Sequence, residues 1–243
     1  MPSAKRFPRV DQLLASLGYG TRRDIDIWIK QGRVKAAGID KLRSELRLDP
    51  ALISIDEQPL DHPHELLIIM HKPLGYVCSH AETEGSTVYD LLPPLWMRRT
   101  PQIESIGRLD RDTSGLLLLT DQHELVHQLT SPRNHVAKVY EATVEATITQ
   151  KMIDIFASGT LLLHGETKPC LPAKLEAGID NTARVTLNEG RYHQVRRMLG
   201  AVGAPVLTLH RSRFGPLDLT GLDEGEFRAI SIPQNWVTPE GEI

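Results

Sequence analysis

The chain has 243 residues, of which 40% are apolar and 24% are charged, and its formal net charge is −3. This composition supports a sizeable core and excludes a mostly disordered chain, and the length suits one large domain or a medium domain with a small one. Only two cysteines are present, Cys78 and Cys170, so a disulfide scaffold and a cysteine-rich zinc site are excluded. No apolar run approaches the roughly 20 residues of a membrane span, and the basic N-terminus lacks the apolar segment of a signal peptide. We therefore expect a cytoplasmic protein without a membrane association.

The net charge alone argues against a nucleic-acid-binding protein, but the charge is unevenly distributed. Residues 1–47 hold 11 Lys and Arg against 5 Asp and Glu, a net of +6. Residues 48–243 hold 17 against 26, a net of −9. A basic segment attached to an acidic body indicates two units with different roles, one of which can face an anionic partner. The alternative is a solvated basic surface that binds nothing.

The N-terminal segment predicts two short helices and small strands. Thr21 can cap the second helix, and Gly32 can end it. Short strands are predicted at Arg33–Lys35 and Leu52–Ile55, and Gln58–His64, with two prolines, predicts a linker. The first helix is indicated by apolar residues spaced i, i+3, i+4 and i+7: Val10, Leu13, Leu14 and Leu17.

Three short stretches of this segment resemble the S4 RNA-binding domain: Arg9–Leu14, Thr21–Arg23 and Ile29–Val34. The sequence departs from the family at Ala36-Ala37-Gly38, where a Val-Asn-Gly-like turn is usual. The resemblance implies that the second helix and the turn before it dock onto structured RNA. The basic residues that would contact RNA in this module are Arg9, Arg22, Arg23, Lys30, Arg33 and Lys35.

The rest of the chain mixes strands and helices without the regular alternation of a doubly wound fold. We predict an α+β fold, in which a small helix-rich S4-like domain precedes a domain built on a mixed, mostly antiparallel sheet. The predicted limits are 1–60 for the first domain, 61–64 for a linker and 65–243 for the second domain. The predicted helices are Ser86–Leu92, a short one between Asp121 and Pro132, Thr149–Phe156, and one after Gly190. The predicted strands are Glu65–Met70, Ile103–Ile106, Leu116–Leu119, Val139–Ala146, Ala183–Leu187 and Pro205–Leu209.

One motif in the second domain points to a metal. His123-Glu124-Leu125-Val126-His127 matches the His-Glu-x-x-His of zinc peptidases, in which two imidazoles hold zinc and Glu is the general base. The helix that carries it is short and has little apolar surface for burying a metal site. Glu141 and Glu145 are possible third ligands, but they lie on an alternating strand. The competing interpretation is an exposed helix face without metal.

A second candidate is the loop Gly107–Gly115, which carries two Asp and two Arg between two apolar strands. A polar loop held at the edge of a sheet is a frequent place for function, and a structural turn is the alternative. The later segment Gly190–Met198 offers arginines at the start of a helix, which could keep a carboxylate ionised and oriented. A basic helix face is the alternative there.

Together these segments resemble the pseudouridine synthases of the RsuA type. His71–Ser79 resembles the first family motif, with His71 where Asn is usual, and Gly107–Leu117 resembles the catalytic motif. Lys138-Val139-Tyr140 resembles the Lys-x-Tyr strand, and Gly190–Met198 resembles the late motif. The motifs occur in the family order behind the S4-like segment.

The resemblance implies roles for individual residues. Asp110 matches the essential aspartate, Tyr140 the active-site tyrosine, and Arg196 the arginine that pairs with the aspartate. Arg108 matches an arginine that enters the RNA stack beside the displaced base. Further RNA contacts are expected in the late motif, from Arg191 and Arg197.

The resemblance also implies that the substrate is ribosomal RNA within a small-subunit assembly intermediate. It further implies that the enzyme acts as a monomer. The stretches Leu129–His135 and Lys168-Pro169 resemble the small-subunit enzyme, which favours a uridine of 16S RNA, position 516. The reaction has no redox step, so neither a cofactor nor a metal is expected. Three alternatives stay open: a 23S RNA enzyme of the same family, a zinc peptidase, and an S4 protein that binds RNA without catalysis.

Overall fold

The computed structural model describes residues 7–81, 83, 85–131, 134 and 136–236. Contacts divide the chain into two compact units. The first unit runs to Leu66 and also contains Leu92–Glu104 and Thr120–His123. The second unit contains Leu67–Leu91, Ser105–Leu119 and the described residues from Glu124 onward. The first unit therefore includes two segments that the sequence analysis assigned to the second domain.

The N-terminal part of the first unit contains α1 (Val10–Ser16), α2 (Arg22–Lys30) and the strands β1 (Val34–Ala36), β2 (Ile53–Ile55) and β3 (Gln58–Pro59). Within the described residues the three strands form a small antiparallel sheet in the order β1-β2-β3. Both predicted helices are confirmed. The predicted cap is also present, because the Thr21 hydroxyl accepts a hydrogen bond from Asp24 N and the Asp24 carboxylate accepts one from Thr21 N. The core of this part is apolar and includes Val10, Leu14, Ile25, Val34 and Ile53.

The predicted linker is wrong in its first part, since Gln58–Pro59 forms β3. The next residues are held within the first unit by hydrogen bonds. Asp61 N donates to Tyr19 Oη at 2.8 Å, and Trp96 Nε1 donates to the Asp61 carboxylate at 2.8 Å. The buried Arg99 donates to the carbonyl oxygen of His62 at 3.1 Å. The residues following β3 are thus structured, while the domain limits at 60 and 65 stay a prediction.

The second unit is built on a mixed, mostly antiparallel sheet, as predicted. Among the described residues the main path of this sheet runs β12-β4-β6-β10-β7-β9-β8, with β11 paired to β10 and β5 to β6. The pair β6–β10 is parallel, whereas β10–β7, β7–β9, β8–β9 and β12–β4 are antiparallel. The strands are β4 (Leu67–Lys72), β5 (Glu104–Ile106), β6 (Thr113–Thr120), β7 (Lys138–Val144), β8 (Lys174–Ala177), β9 (Thr182–Leu187), β10 (Val206–Phe214), β11 (Leu217–Asp218) and β12 (Phe227–Ile230).

Three helices accompany this sheet: α3 (His123–Thr130), α4 (Gln150–Ser158) and α5 (Gln194–Ala201). The predicted helix at Ser86–Leu92 is a short 3₁₀ helix over Val88–Leu91. Thr149 caps α4 by accepting from Met152 N. The apolar positions of α5 contribute Val195, Met198 and Leu199 to a core that also contains buried residues of β7, β9 and β10. Strands β8 and β12 were not predicted, and β10 extends five residues beyond the predicted end at Leu209.

The close approach of β6 and β10 depends on a glycine. Gly115 has φ +112° and lies opposite Arg211 in the parallel pair. A Cβ atom at this position would lie 2.3 Å from Arg211 O and 2.6 Å from Arg211 N. Only glycine fits this backbone geometry. Gly115 therefore fixes the position of β10, and with it the residues that β10 presents to the cavity described next.

Candidate active site

The second unit contains a cavity of about 650 Å³. This volume is in the usual range for a small-molecule site and is large enough for one nucleoside. The cavity is bordered by the loop between β5 and β6, the start of β7, the segment that enters α5, and β10. It is lined by Val77, Cys78, Gly107–Thr113, Thr130, Lys138, Tyr140, Gly190–Val195, Leu209, Arg211 and Phe214.

The loop Gly107–Asp112 is held at its end by a buried lysine. Lys72 is fully buried at the end of β4, and its Nζ donates to Thr113 O at 2.8 Å. Burial lowers the pKa of Lys72 below its usual range, and the nearby Cys78 thiol and Asp110 carboxylate partly oppose this effect. The lysine of the His71–Ser79 motif thus anchors the loop rather than lining the cavity.

Further contacts fix the middle of the same loop. Cys78 Sγ lies 3.5 Å from both the amide nitrogen and the carbonyl oxygen of Leu109. Burial raises the pKa of the Cys78 thiol, so the thiol stays protonated and can donate. Gly75 N donates to Arg111 O at 2.8 Å. Because these bonds hold the backbone on both sides of Asp110, the orientation of its side chain is set in advance.

Asp110 faces the cavity with its side chain 30% exposed. His193 Nε2 lies 3.2 Å from Asp110 Oδ1. His193 has φ +48°, an uncommon conformation for a residue with a side chain, and its ring stacks on Tyr192 with centroids 3.9 Å apart. Strained backbone of this kind is frequent at functional sites. His193 lies within the late motif Gly190–Met198, but no role was predicted for it.

The predicted partner of Arg196 is wrong. Arg196 Nη2 donates to Asp112 O at 2.9 Å and lies 2.9 Å from Asp112 Oδ2, and in the described part of the chain it forms no pair with Asp110. Asp112 is the last residue of the loop and presents both a carbonyl and a carboxylate to the guanidinium group. Arg196 therefore holds the loop end, and His193 is the residue that contacts Asp110.

Tyr140 and Arg108 lie on the same cavity as Asp110. Tyr140 is half-buried on β7, opposite Arg211 of β10, whose guanidinium carbon is 6.0 Å from the ring centroid. Arg108 is exposed on the loop. The structure thus brings together three of the four catalytic and supporting residues chosen from the sequence, which were separated by up to 32 positions in the chain.

The two arginines predicted to contact RNA from the late motif both have partners within the protein. Arg191 donates to the carbonyl oxygens of Lys168 and Pro169 at 2.8 and 2.6 Å, and its Nε to Glu189. Arg197 donates to the Glu166 carboxylate at 3.0 Å. Both guanidinium groups therefore stabilise the segment that enters α5. The contact of these arginines with RNA stays a prediction. The likeness of Leu129–His135 to the small-subunit enzyme also stays a prediction, and Pro132, Arg133 and His135 of that stretch lie outside the described residues.

Several basic residues of the cavity were missed, and two of them lie on strands. Lys138 starts β7, and Arg211 is a buried charged residue inside β10. Lys138 was visible as the lysine of the Lys-x-Tyr motif, but only its tyrosine was assigned a role. Arg211 gave no signal, because nothing in a sequence marks which arginine becomes buried.

The six basic residues of the first unit that were predicted to contact RNA divide into a paired and an unpaired group. Arg9 and Arg22 both donate to the buried Asp11 carboxylate, with Arg22 Nη2 2.6 Å from Oδ2. Although burial raises the pKa of Asp11, these hydrogen bonds outweigh it and hold the pKa below its usual range. Arg33 and Lys35 pair with acidic residues of the β2–β3 turn, namely Asp56 and Glu57. Arg23 and Lys30 are exposed, and within the described residues they form no ion pair.

The zinc alternative gains no support from the geometry. His123, Glu124 and His127 are exposed on α3, whose buried residues are Leu125 and Leu129. Among the described residues no group of three or more His, Cys, Asp or Glu side chains is arranged to hold a metal ion. None of the described helices is both long and apolar enough to cross a bilayer.

Comparison with known proteins gives a consistent result. The model of the RNA pseudouridylate synthase family matches residues 66–201. The chain is 39% identical to the ribosomal small subunit pseudouridine synthase A of Escherichia coli strain K12, with 92% of this chain and 96% of the relative covered. It is 35% identical to the uncharacterized RNA pseudouridine synthase YtzG of Bacillus subtilis strain 168, with coverages of 92% and 95%. A crystal structure of a pseudouridylate synthase superposes with a TM-score of 0.63 and 34% identity, over 92% of this chain and 96% of that one.

Proposed function

This chain belongs to the RNA pseudouridylate synthase family, and we propose that it converts one uridine of 16S ribosomal RNA to pseudouridine. The observation that carries this proposal is the similarity to enzymes named for the ribosomal small subunit. The E. coli relative matches over nearly the whole of both chains, and a Pasteurella multocida enzyme of the same name matches with 36% identity. Within this RNA we propose uridine 516 as the target.

The reaction breaks the C1′–N1 bond of the uridine, turns the uracil and rejoins it to the sugar through C5. The C5 proton is lost and N1 gains one, so the change is an isomerisation that requires neither a redox cofactor nor a metal. We assign the central role to Asp110, which must be ionised to act as a nucleophile or a base. His193 Nε2, which lies 3.2 Å from Asp110 Oδ1, is placed to fix the direction of this carboxylate.

We assign supporting roles to the two other residues that line the cavity with Asp110. The target nucleotide must leave the RNA stack to enter the cavity, which costs a few kcal/mol. Arg108, exposed on the rim, is placed to fill the gap that the base leaves and so to reduce this cost. Tyr140, on the opposite wall, is placed to stack on the displaced uracil and to take part in proton removal at C5.

We propose that the N-terminal S4-like segment docks onto folded ribosomal RNA. Its exposed cations at Arg23 and Lys30 lie on α2, the helix that docks in S4 domains. Arg9 and Arg22 also reach the surface, but Asp11 neutralises part of their charge. Arg33 and Lys35 are similarly paired with carboxylates. The electrostatic contribution of Arg23 and Lys30 is therefore expected to be the largest of the six.

We further propose that the enzyme acts as a monomer, in the cytoplasm, on an assembly intermediate of the small subunit. A uridine buried in a mature subunit cannot leave its stack, whereas an intermediate still exposes it. The acidic body does not need to grip the RNA along its whole surface, because the cavity supplies its own local cations.

Mapping of pseudouridines tests the proposal. Ribosomal RNA from cells that lack the protein is compared with RNA from the parent strain and from cells that carry the gene on a plasmid. The expected result is the loss of one pseudouridine of 16S RNA and its return with the plasmid. Loss only from 23S RNA would refute the small-subunit target, and an unchanged pattern in both RNAs would refute the function.

A further inference from the structure

Two of the cations in the cavity wall, Arg211 and Lys138, have no carboxylate partner among the described residues. Arg211 is 2% exposed; its Nε donates to Leu116 O at 2.7 Å, and its Nη2 is buried without a hydrogen-bond partner. Lys138 Nζ donates to Val136 O at 2.9 Å. Within the described residues neither side chain forms a salt bridge. Both residues line the cavity that holds Asp110.

A β-bulge brings these cations to one face of the sheet. Tyr140 lies opposite Arg211, and Lys138 lies opposite Phe214, so that four residues of β10 span three of β7. The bulge turns Phe214 to the same side as Arg211. The Phe214 ring then contacts both cations, with Lys138 Nζ 5.0 Å and Arg211 Cζ 5.4 Å from its centroid. The Phe214 ring only partly compensates for the water that the Lys138 and Arg211 side chains lose on burial.

Burying two like charges side by side is unfavourable unless an anion completes the site. Lys138 can respond by losing its proton, and its pKa is lowered to about 8 by burial and by the neighbouring guanidinium. Arg211 cannot respond in this way, since arginine stays protonated in proteins. The orphaned Arg211 Nη2 is therefore a donor placed for an acceptor that the described part of the chain does not provide.

We propose that Arg211 and Lys138 form an oxyanion subsite for the uracil ring, which stabilises the negative charge that the ring acquires when the C1′–N1 bond breaks. The inference rests on the proposed function, because it concerns the base that enters this cavity. A phosphate of the RNA backbone is a poorer candidate, since the subsite is walled by Tyr140, Phe214 and Leu209 and suits a flat ring.

The charge balance of the step defines what the subsite does. The electron pair of the C1′–N1 bond leaves with the uracil, and C1′ is satisfied either by bonding to Asp110 or by loss of the C2′ proton to it. The negative charge spreads from N1 to O2 and, through C6, C5 and C4, to O4. Donors aimed at these oxygens stabilise the leaving ring more than the neutral base, which lowers the barrier. When C5 bonds to C1′, the Asp110 carboxylate is released from C1′ in the first route, or returns its proton to C2′ in the second. C5 then loses its proton to a base while N1 gains one, and the ring is neutral again.

The test compares two leaving groups in single-turnover reactions. The substrate is a ribosomal RNA fragment that the wild-type enzyme modifies, carrying either uridine or 5-fluorouridine at the target. Fluorine stabilises the ring anion by itself, so it reduces the need for the subsite. The readout is loss of the starting nucleoside after nuclease digestion, which measures bond cleavage whatever the later product. For Lys138→Met we expect a rate about 100-fold below wild type with uridine, but reduced less than about tenfold with 5-fluorouridine.

Arg211→Lys is the second variant, because it keeps the charge while changing the donor geometry, and it is expected to follow the same selective pattern. Lys174→Met on β8 is the matched control, since Lys174 is exposed on the same sheet away from the cavity and should leave both rates unchanged. An equal loss on both substrates would show a structural role and overturn the proposal, as would an unchanged uridine rate. A wild-type enzyme that modifies only another ribosomal RNA would refute the small-subunit target alone, and the variants are then compared on that RNA.

Discussion

Replacement of Gly115 by alanine is expected to destabilise the second unit and to abolish activity. The added Cβ would lie 2.3 Å from Arg211 O and 2.6 Å from Arg211 N, whereas ordinary contacts of Cβ are longer than 3.4 Å. The strands β6 and β10 must therefore separate by about 1 Å along this line. The obstacle is backbone on both sides, so no side chain can turn away to relieve the clash.

The size of the effect follows from two contributions. Holding alanine at φ +112° costs about 1–2 kcal/mol, and forcing extra volume between packed strands costs about 1–3 kcal/mol. Together they lower the free energy of unfolding by about 2–5 kcal/mol, a large part of the stability of an ordinary domain. Activity is lost as well, because the shift moves Arg211 and the loop end at Thr113, which pairs with Leu209 in the same parallel segment.

Urea denaturation followed by circular dichroism measures the loss, and pseudouridine formation measures the activity. Gly200→Ala is the matched control, since a Cβ at this position of α5 meets nothing within 4 Å. It should raise stability by up to about 1 kcal/mol through helix propensity. The reasoning would be refuted if Gly115→Ala unfolded at the same urea concentration as the wild type, or if both variants changed stability alike.

Three further predictions concern single groups. His193→Asn should lower the catalytic rate about tenfold at an unchanged melting temperature, because asparagine tolerates the left-handed backbone but cannot reach Asp110. A rate equal to that of the wild type would show that His193 has no role in the site. Replacing Arg23 and Lys30 by glutamine should flatten the slope of log binding constant against log salt by about 0.7–0.9 per lost phosphate contact, and an unchanged slope in filter binding would contradict the docking proposal. The pKa of Lys138 is about 8 in the folded protein, against 10.5 for an unperturbed lysine, so between these pH values the unfolded chain binds more protons than the folded chain. The free energy of unfolding therefore rises with pH in this range, by up to about 3 kcal/mol. Lys138→Met should flatten that rise, and a pH profile of urea denaturation identical to that of the wild type would refute the burial argument.

Local patterns were sufficient for elements whose own residues carry the signal. The helix α2 is recognisable because Thr21 caps it and Gly32 ends it, and both act through neighbouring residues. The strand β8, with the sequence Lys-Leu-Glu-Ala, and the edge strand β12 carry no comparable signal. Each of these strands is defined by pairing with β9 or β4, which is a long-range contact that a short window of sequence does not contain.

The candidate site shows the same division. The loop around Asp110 and the strand of Tyr140 are marked by motifs, and the structure places both residues on one cavity. The partner of Arg196 was wrong, because several carboxylates of one loop compete for a guanidinium group and only the folded geometry decides between Asp112 and Asp110. Arg211 was missed because its burial results from the approach of β6 at Gly115, over 90 positions earlier in the chain.

The central claim is that Asp110 carries the isomerisation, and the Asp110→Asn variant tests it most directly. The substitution keeps the shape of the side chain and removes its charge, and Asp180→Asn in the exposed β8–β9 turn, where φ is +52°, is the matched control. The measurement is the single-turnover rate of pseudouridine formation in a 16S RNA fragment, made beside a urea denaturation curve for each protein. We expect a rate at least about 10⁴-fold below wild type for Asp110→Asn, with an unchanged unfolding midpoint and a normal rate for the control. A folded Asp110→Asn protein that forms pseudouridine within tenfold of the wild-type rate would contradict it.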